Sequence, residues 1–389
     1  MKIYNARIYT MDADGVIENG WIELSDGKIA ALGSGNPDSV SADDIDAQGG
    51  TLLPGFIDAH THLGIIEDGL DFEGDDCNET TDPFTPQMRA IDGINPFDRC
   101  FEEARMRGVT AAAVCPGSAN ACGGEICVIK TAGRRVDDML IVNAGMKFAL
   151  GENPKRVYND KDDTPVTRMA TVALIREGLY KARRYAHDMD SYYSDNENCD
   201  PPEYDAKFEA LLPLLDRKQR AFFHCHRADD ICTAMRIAKE FSLDTVIIHG
   251  TEGYKIADII AEEGLPVICG PLMCDRCKPE MRGQELNNAA VLAENGVKIA
   301  ICTDHTVIPI QYLPLSAQAA VKGGLDEMTA LRALTIAPAE ILGAEESVGS
   351  LAVGKDADVQ LYRSGDDPLG LMSEPVLVAI NGQFIRREV

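Results

Sequence analysis

Apolar and polar residues follow two different rhythms along this chain. Near the amino end they alternate in short stretches, such as Trp21-Ile22-Glu23-Leu24 and Lys28-Ile29-Ala30-Ala31-Leu32, broken at Asp14-Gly15, Asn19-Gly20 and Asp26-Gly27. Period-two alternation marks strands with one buried face, and Asn-Gly or Asp-Gly pairs mark tight turns because these residues tolerate positive φ. The carboxy end repeats the style in Ala357-Asp358-Val359-Gln360-Leu361-Tyr362 and Pro375-Val376-Leu377-Val378-Ala379-Ile380, followed by Asn381-Gly382. Neither end alone makes a stable sheet. The two are therefore expected to pair into a small β-sandwich, residues 1–53 with 345–389, beside a central domain at 54–344.

The middle of the chain alternates strand with helix. Its clearest run is a strand at Ala221–His226, an amphipathic helix near Asp229–Phe241 and a strand at Thr245–His249. A helix at Tyr254–Glu263, a strand at Pro266–Gly270, a helix at Asn288–Glu294 and a strand at Val297–Thr303 follow. Short apolar strands separated by helices of about three turns predict a parallel sheet. Earlier strands fit Phe56–His62, Val109–Cys115, Ile126–Thr131 and Leu140–Phe148. The total of eight predicts a closed (β/α)8, TIM-like barrel of the α/β class. The polar stretch Asp188–Asp205, with Pro201-Pro202, reads as an inserted loop, and no internal repeat is visible.

Composition narrows the partners. The 389 residues are 45% hydrophobic and 26% charged, the make-up of a globular protein with a large core. Acidic residues outnumber basic ones 63 to 37, for a net charge of −26. Such a field repels nucleic acid and anionic membranes, so neither is expected as a partner and a small-molecule substrate is. No apolar run approaches the ~18 residues that cross a bilayer. The first residues lack a secretion signature. Twelve cysteines are scattered, several of them inside apolar runs (Cys225, Cys269, Cys302), which fits small buried hydrophobes in a reducing, cytoplasmic setting.

The chemistry concentrates at strand ends. Asp58, His60 and His62 are spaced two apart in the first barrel strand, which points all three to one side. Neutral imidazoles converging at the carboxyl end of a strand begin a transition-metal site. Of seven histidines, four more follow strands of the same barrel: His224 and His226, His249, and His305 beside Asp304. Only His187 lies elsewhere, on a basic helix, where it reads as solvated. Packing alone does not gather six of seven histidines at one rim.

Pro54-Gly55-Phe56-Ile57-Asp58-Ala59-His60-Thr61-His62 resembles the first-strand motif of the amidohydrolase superfamily. Val348-Gly349-Ser350-Leu351-Ala352-Val353-Gly354-Lys355-Asp356-Ala357-Asp358-Val359 resembles that family's entry into the carboxy-terminal half of its sandwich. The likeness covers essentially the whole chain and points to the imidazolonepropionase-related and prolidase-like branch. It implies one or two divalent ions, zinc by default, at the barrel mouth. Their ligands would be His60, His62, His224, His249 and Asp304, with Asp304 also the catalytic proton carrier. Relatives reading His-Ala-Glu or His-Ala-His favour His224 as ligand, leaving His226 outside the first coordination sphere or facing substrate. His305 is a further substrate-side candidate. Many relatives bridge two ions with a carboxylated lysine at the end of strand four. Lys147 is the candidate here, with Lys130 and Glu152 as rivals. A homo-oligomer is expected.

The resemblance implies metal-activated hydrolysis of an amide, peptide or cyclic amide. Three residues after His224, where deaminating relatives carry glutamate, this chain has Arg227. Two readings of it stand. The guanidinium pairs with a substrate carboxylate, as in a dipeptide or N-acyl amino acid, or it neutralises Asp229-Asp230 at the start of the next helix. A ring deaminase or imidazolonepropionase-like hydrolase is the rival enzyme. A non-catalytic scaffold is the rival outside catalysis, although such relatives lose metal ligands and none of the five is missing here. Pro116–Gly124 reads as a tight loop able to present backbone N–H groups, and the pair Cys274–Cys277 has zinc or redox spacing without a second pair. Gly64–Phe97 is the expected lid.

Overall fold

The structure is a computed structural model and describes residues 1–388. Five strands open the chain: β1 Lys2–Tyr9, β2 Val16–Ser25, β3 Lys28–Ser34, β4 Ile45–Asp46 and β5 Thr51–Pro54. Eight build the barrel: β6 Phe56–Thr61, β7 Val109–Val114, β8 Cys122–Lys130, β9 Leu140–Ala149, β10 Arg220–Cys225, β11 Thr245–His249, β12 Val267–Cys269 and β13 Ile299–Ile301. Three close the chain: β14 Val359–Tyr362, β15 Leu377–Ile380 and β16 Gln383–Arg387.

The two ends pair as expected. β5 runs antiparallel to β14, from Pro54 opposite Val359 to Thr51 opposite Tyr362, and parallel to β1. One open sheet results, in the order β16-β15-β14-β5-β1-β2-β3 with β4 on β1. Ile3, Ile8, Ile22, Leu52, Val359 and Leu377 from both ends share its core. Two hairpins turn where Asp26-Gly27 and Asn381-Gly382 both take positive φ, which only such residues adopt at little cost. Asn19-Gly20 is different. It lies within β2, where the pairing with β1 is irregular, because Ile17 and Trp21 on either side continue the same ladder or its neighbour.

The barrel runs in chain order from β6 to β13, and β13 returns to β6. Closure uses a parallel bridge from Thr61 to His305, with Asp304 N donating to His60 O at 3.2 Å and His62 N to His305 O at 2.8 Å. Alternation sorts the strands' faces. Phe222, Val246, Ile248, Ile268 and Ala300 pack in one cluster, which we read as the barrel interior. Their neighbours Phe223, Ile247, Val267 and Ile299 join the helices' Ile231, Ala234 and Leu292 in another.

The barrel departs from eight parallel strands at one place. β8 starts at Cys122, inside the stretch expected as a loop, and runs antiparallel to both β7 and β9. Only the short helix Val136–Met139 separates it from β9, too little chain for a parallel crossover. The other differences are local. The helix Arg168–Ser194 runs into the stretch expected as an insertion, and Tyr254–Glu263 divides into a 3-10 turn at Gly253–Lys255 and a helix at Ala257–Glu262.

Candidate metal centre

Two strand ends facing each other across the closure carry the first cluster. His60 lies in β6 and His62 one residue past it, while Asp304 follows β13 at φ +54. That left-handed turn and the bond from Asp304 N to His60 O bring the carboxylate over the imidazoles. Asp304 Oδ1 stands 3.3 Å from His60 Nε2 and 3.5 Å from His62 Nε2. Burial works against the Asp304 charge, but His249, His60 and His62 around it hold its carboxyl well below the usual range. Asp58, two residues before His60, serves the frame: its carboxylate accepts from Thr303 N and, at 2.5 Å, from Thr303 Oγ1. Burial raises it to about 7.

The second cluster joins β10 and β11. His224, His226 and His249 each offer a nitrogen within 4.8 Å of the others. His226 and His249 stack with ring centres 4.6 Å apart and planes 2° from parallel, and His60 lies edge-on to His249 at 5.3 Å. The two clusters are thus neighbours.

Hydrogen bonds set the tautomers. His62 Nδ1 lies 2.7 Å from Cys115 O, and His249 Nδ1 lies 2.7 Å from Gly270 O. A carbonyl only accepts, so each Nδ1 carries a proton, and in the neutral ring each Nε2 presents a lone pair. Burial keeps His60 and His224 far on the neutral side and lowers His249 to about 4. His62 differs. Burial lowers it, but Cys77 and Asp304 beside it more than offset that and raise it to about 10.

These residues fit divalent ions. Both ring nitrogens of His60, Nδ1 of His224 and Nε2 of His226 are buried without a hydrogen-bond partner. Leaving each unsatisfied costs about 1–3 kcal/mol. Four such atoms in one place make sense as ligand positions or as partners of something bound there. The neutral imidazoles of His60, His224 and His249 and the ionised Asp304 are in the protonation states that metal binding needs, and His62 gives up its proton to bind.

The remaining candidates separate clearly. Lys147 ends β9 fully buried, its Nζ donating to Pro116 O at 2.9 Å, and burial lowers its pKa. Asp304 and the imidazoles His60, His224 and His249 all feel its charge. Lys130 points elsewhere, pairing with Asp358 at 2.6 Å and Asp356 at 2.9 Å on the small sheet's side. Glu152 is engaged with Glu280 through backbone N–H groups. Arg227 makes a two-pronged ion pair with Asp229 at 2.9 and 2.8 Å, the second of its two expected geometries. His305 is buried with Nε2 unpartnered, its Nδ1 accepting from Ile310 N. His187 is exposed. Cys274 and Cys277 are free thiols outside both clusters.

Sequence reasoning missed Glu280. It sits in the 3-10 turn Pro279–Met281 after β12, is 1% exposed, and brings Oε1 to 3.6 Å from His226 Nε2. Nothing local distinguishes it from the neighbouring loop charges. Only its apolar successor Met281 hints at an inward turn.

Buried imidazoles and a carboxylate at the mouth of a closed barrel define a metal-binding hydrolase site, and comparison places it. Residues 213–384 match the model of the amidohydrolase family. The structure superposes on an amidohydrolase from Thermotoga maritima with a TM-score of 0.93 and 39% identity, covering 99% of each chain. The amidohydrolase tasK of Hapsidospora irregularis is 30% identical over 95% of this chain, which spans 39% of that protein's length. An imidazolonepropionase of Shewanella baltica is 24% identical over 90% of this chain and 87% of its own. The chain belongs to the amidohydrolase family. Its site is of the amidohydrolase type, able to hold metal and to hydrolyse carbon–nitrogen bonds. Among the described residues, no helix is long and apolar enough to cross a membrane.

Proposed function

We propose that this chain hydrolyses the carbon–nitrogen bond of a small amide (peptide, N-acyl or cyclic) with one or two zinc ions. The observation that carries the reading is the contact of two ligand sets, the partly exposed His60/His62/Asp304 and the buried His224/His226/His249, joined where His60 meets His249. We assign His60, His62, His224, His249 and Asp304 as ligands. A bound divalent ion supplies Lewis acidity and brings a water's pKa from 15.7 toward ~7. Asp304, held ionised, takes the attacking water's proton and passes it to the leaving nitrogen. Lys147, buried and shifted toward the neutral amine that reacts with carbon dioxide, would as a carbamate be a further ligand for a second ion. His226 and His305 line the substrate side.

Arg227 serves a substrate carboxylate only by exchanging Asp229 for it, so the reading does not require an acidic substrate. Relatives named imidazolonepropionase favour a second reading, in which the scissile amide is part of a ring. We place the protein in the cytoplasm, in keeping with twelve free cysteines, and expect copies to associate over exposed apolar residues such as Leu371 and Met372. Residues 1–53 with 345–389, and 54–344, are taken as its two domains.

The test is a screen of zinc-loaded protein against dipeptides, N-acyl amino acids and cyclic amides, with Arg227→Met as control. Amide cleavage supports the reading. Ammonia release from purines or pterins, with no amide cleaved, overturns it.

A further inference from the structure

Glu280 is a buried charge that the reading above leaves unused. Its Oε2 accepts the backbone N–H of Glu152 at 3.0 Å, and Glu152 Oε2 accepts the backbone N–H of Glu280, also at 3.0 Å. The two glutamates therefore clamp the loop after β9, which follows Lys147, to the loop after β12. Gly151 makes room for this. It holds φ +87, and a Cβ there would come within 2.5 Å of Glu280 Oε2. The carboxylate is thereby fixed through one oxygen and aimed with the other. That second oxygen, Oε1, has no hydrogen-bond partner and faces His226 Nε2, equally unpartnered, across 3.6 Å. Lys278 Nζ flanks the same oxygen at 3.3 Å.

His226 is held on its other side, with Nδ1 2.7 Å from Thr251 Oγ1. If the Thr251 hydroxyl donates to Nδ1, the ring proton sits on Nε2, pointing at Glu280. The ring is then held by the Thr251 hydrogen bond on one side and faces the Glu280 carboxylate, 3.6 Å from Nε2, on the other, and His249 lies flat against it. His249 is aimed into the cluster by its Nδ1 bond to Gly270 O, and the face of the His226 ring is the second surface that limits its tilt.

We propose that Glu280 is a positioning residue of the metal centre: it takes the Nε2–H of His226, keeps that ring off the metal, and through the His226–His249 stack fixes the orientation of His249 as a ligand. The proposal rests on the metal reading of the site and adds a reason why two histidines after one strand have different roles. Partners that orient ligands from outside the first coordination sphere are worth about 10–100-fold in metal affinity.

The experiment titrates metal-free wild type, Glu280→Ala and Glu280→Gln with zinc against a chromogenic chelator, so no substrate is needed. We expect Glu280→Ala to bind zinc about 10–100-fold more weakly with unchanged stoichiometry at saturation. Glu280→Gln should stay close to wild type, because its amide oxygen still accepts from His226. In a His226→Gln background, Glu280→Ala should cost little more. Unchanged affinity in Glu280→Ala overturns the proposal, and so does loss of a whole zinc equivalent in both variants, which would make Glu280 a ligand. The histidine side-chain NMR spectrum of zinc-loaded wild type is independent of how the variants fold: an Nε2–H on His226 supports the proposal and its absence overturns it. Wild type that takes up no zinc at all would instead sink the metal reading beneath.

Discussion

Asp304 Oδ1 lies 3.3 Å from His60 Nε2, and that distance joins the last barrel strand to the first at the point where the chemistry is expected. The carboxylate is flanked by imidazoles and stays ionised despite its burial. Asp304→Asn keeps the shape and removes the proton acceptor. We expect a folded variant that still binds metal and loses about 10²–10⁴-fold in kcat, the usual worth of a general acid–base group. Steady-state kinetics beside metal analysis checks this. Full turnover in the variant would remove Asp304 from proton transfer.

Lys147 separates one-ion from two-ion chemistry. A carbamate there would hold a second ion, so Lys147→Met should carry one zinc per chain fewer than wild type when both are saturated. Protein equilibrated with ¹³C-bicarbonate should give a carbamate NMR resonance that the variant lacks. Equal zinc content and no such resonance would leave Lys147 an ordinary buried amine bonded to Pro116 O.

Stability should depend on an ion pair that lies on the small sheet's side. Lys130 and Asp358, each 4% exposed and 2.6 Å apart, tie β8 of the barrel to the start of β14 in the small sheet. Lys130→Met leaves Asp358 buried without its cation, although Asn381 N still donates to it. Breaking a buried pair from one side costs about 3–5 kcal/mol. Thermal melts should show a clear drop in Tm with kcat per folded molecule unchanged. An unchanged Tm would mean that the pair contributes nothing net.

Acid and alkali should act on the metal-free chain through different histidines. His249 and His305 titrate at about 4 when folded, against 6.5 for a free side chain, because burial disfavours their charged forms. Between those values the unfolded chain binds more protons at these two rings, so their contribution is lost as pH falls from 6.5 towards 4, and Asp58, raised from 3.8 to about 7 by burial, offsets only part of that loss. His62, raised to about 10 by Cys77 and Asp304 against the opposing effect of burial, contributes stability that is full below 6.5 and lost as pH rises through about 10. Urea midpoints of metal-free protein across this range should form a dome, and zinc, by taking the place of the His62 proton, should flatten its alkaline side. A metal-free profile that is flat on both sides would contradict these environments.

Much of this architecture was legible in the chain because its signals are local. Short apolar runs between helices located the barrel strands from β10 to β13, with Thr245–His249 matched at both ends and β12 and β13 shorter than expected, and Asp26-Gly27 and Asn381-Gly382 announced their hairpins through the φ values they tolerate. Histidines at strand ends needed only a count along the sequence to reveal a rim. What stayed hidden depends on partners distant in sequence. The direction of β8 is decided by pairing with β7 and β9, and Ile126–Thr131 reads the same either way round. Helix Arg168–Ser194 runs on into polar sequence because its buried face, Ile175, Leu179 and Ala182, anchors it upstream. Arg227 found Asp229 two residues on, a pairing the sequence allowed as readily as a ligand. Glu280 reaches His226 from a loop more than fifty positions away, and no spacing rule connects them.

The central claim is that these buried imidazoles and Asp304 form a functional metal centre, and zinc content tests it most directly. Wild type expressed in metal-replete medium should hold one to two zinc ions per chain by elemental analysis, and a His60→Ala/His249→Ala double variant that remains folded should hold none. Wild type without bound metal, or a double variant holding as much as wild type, would contradict it.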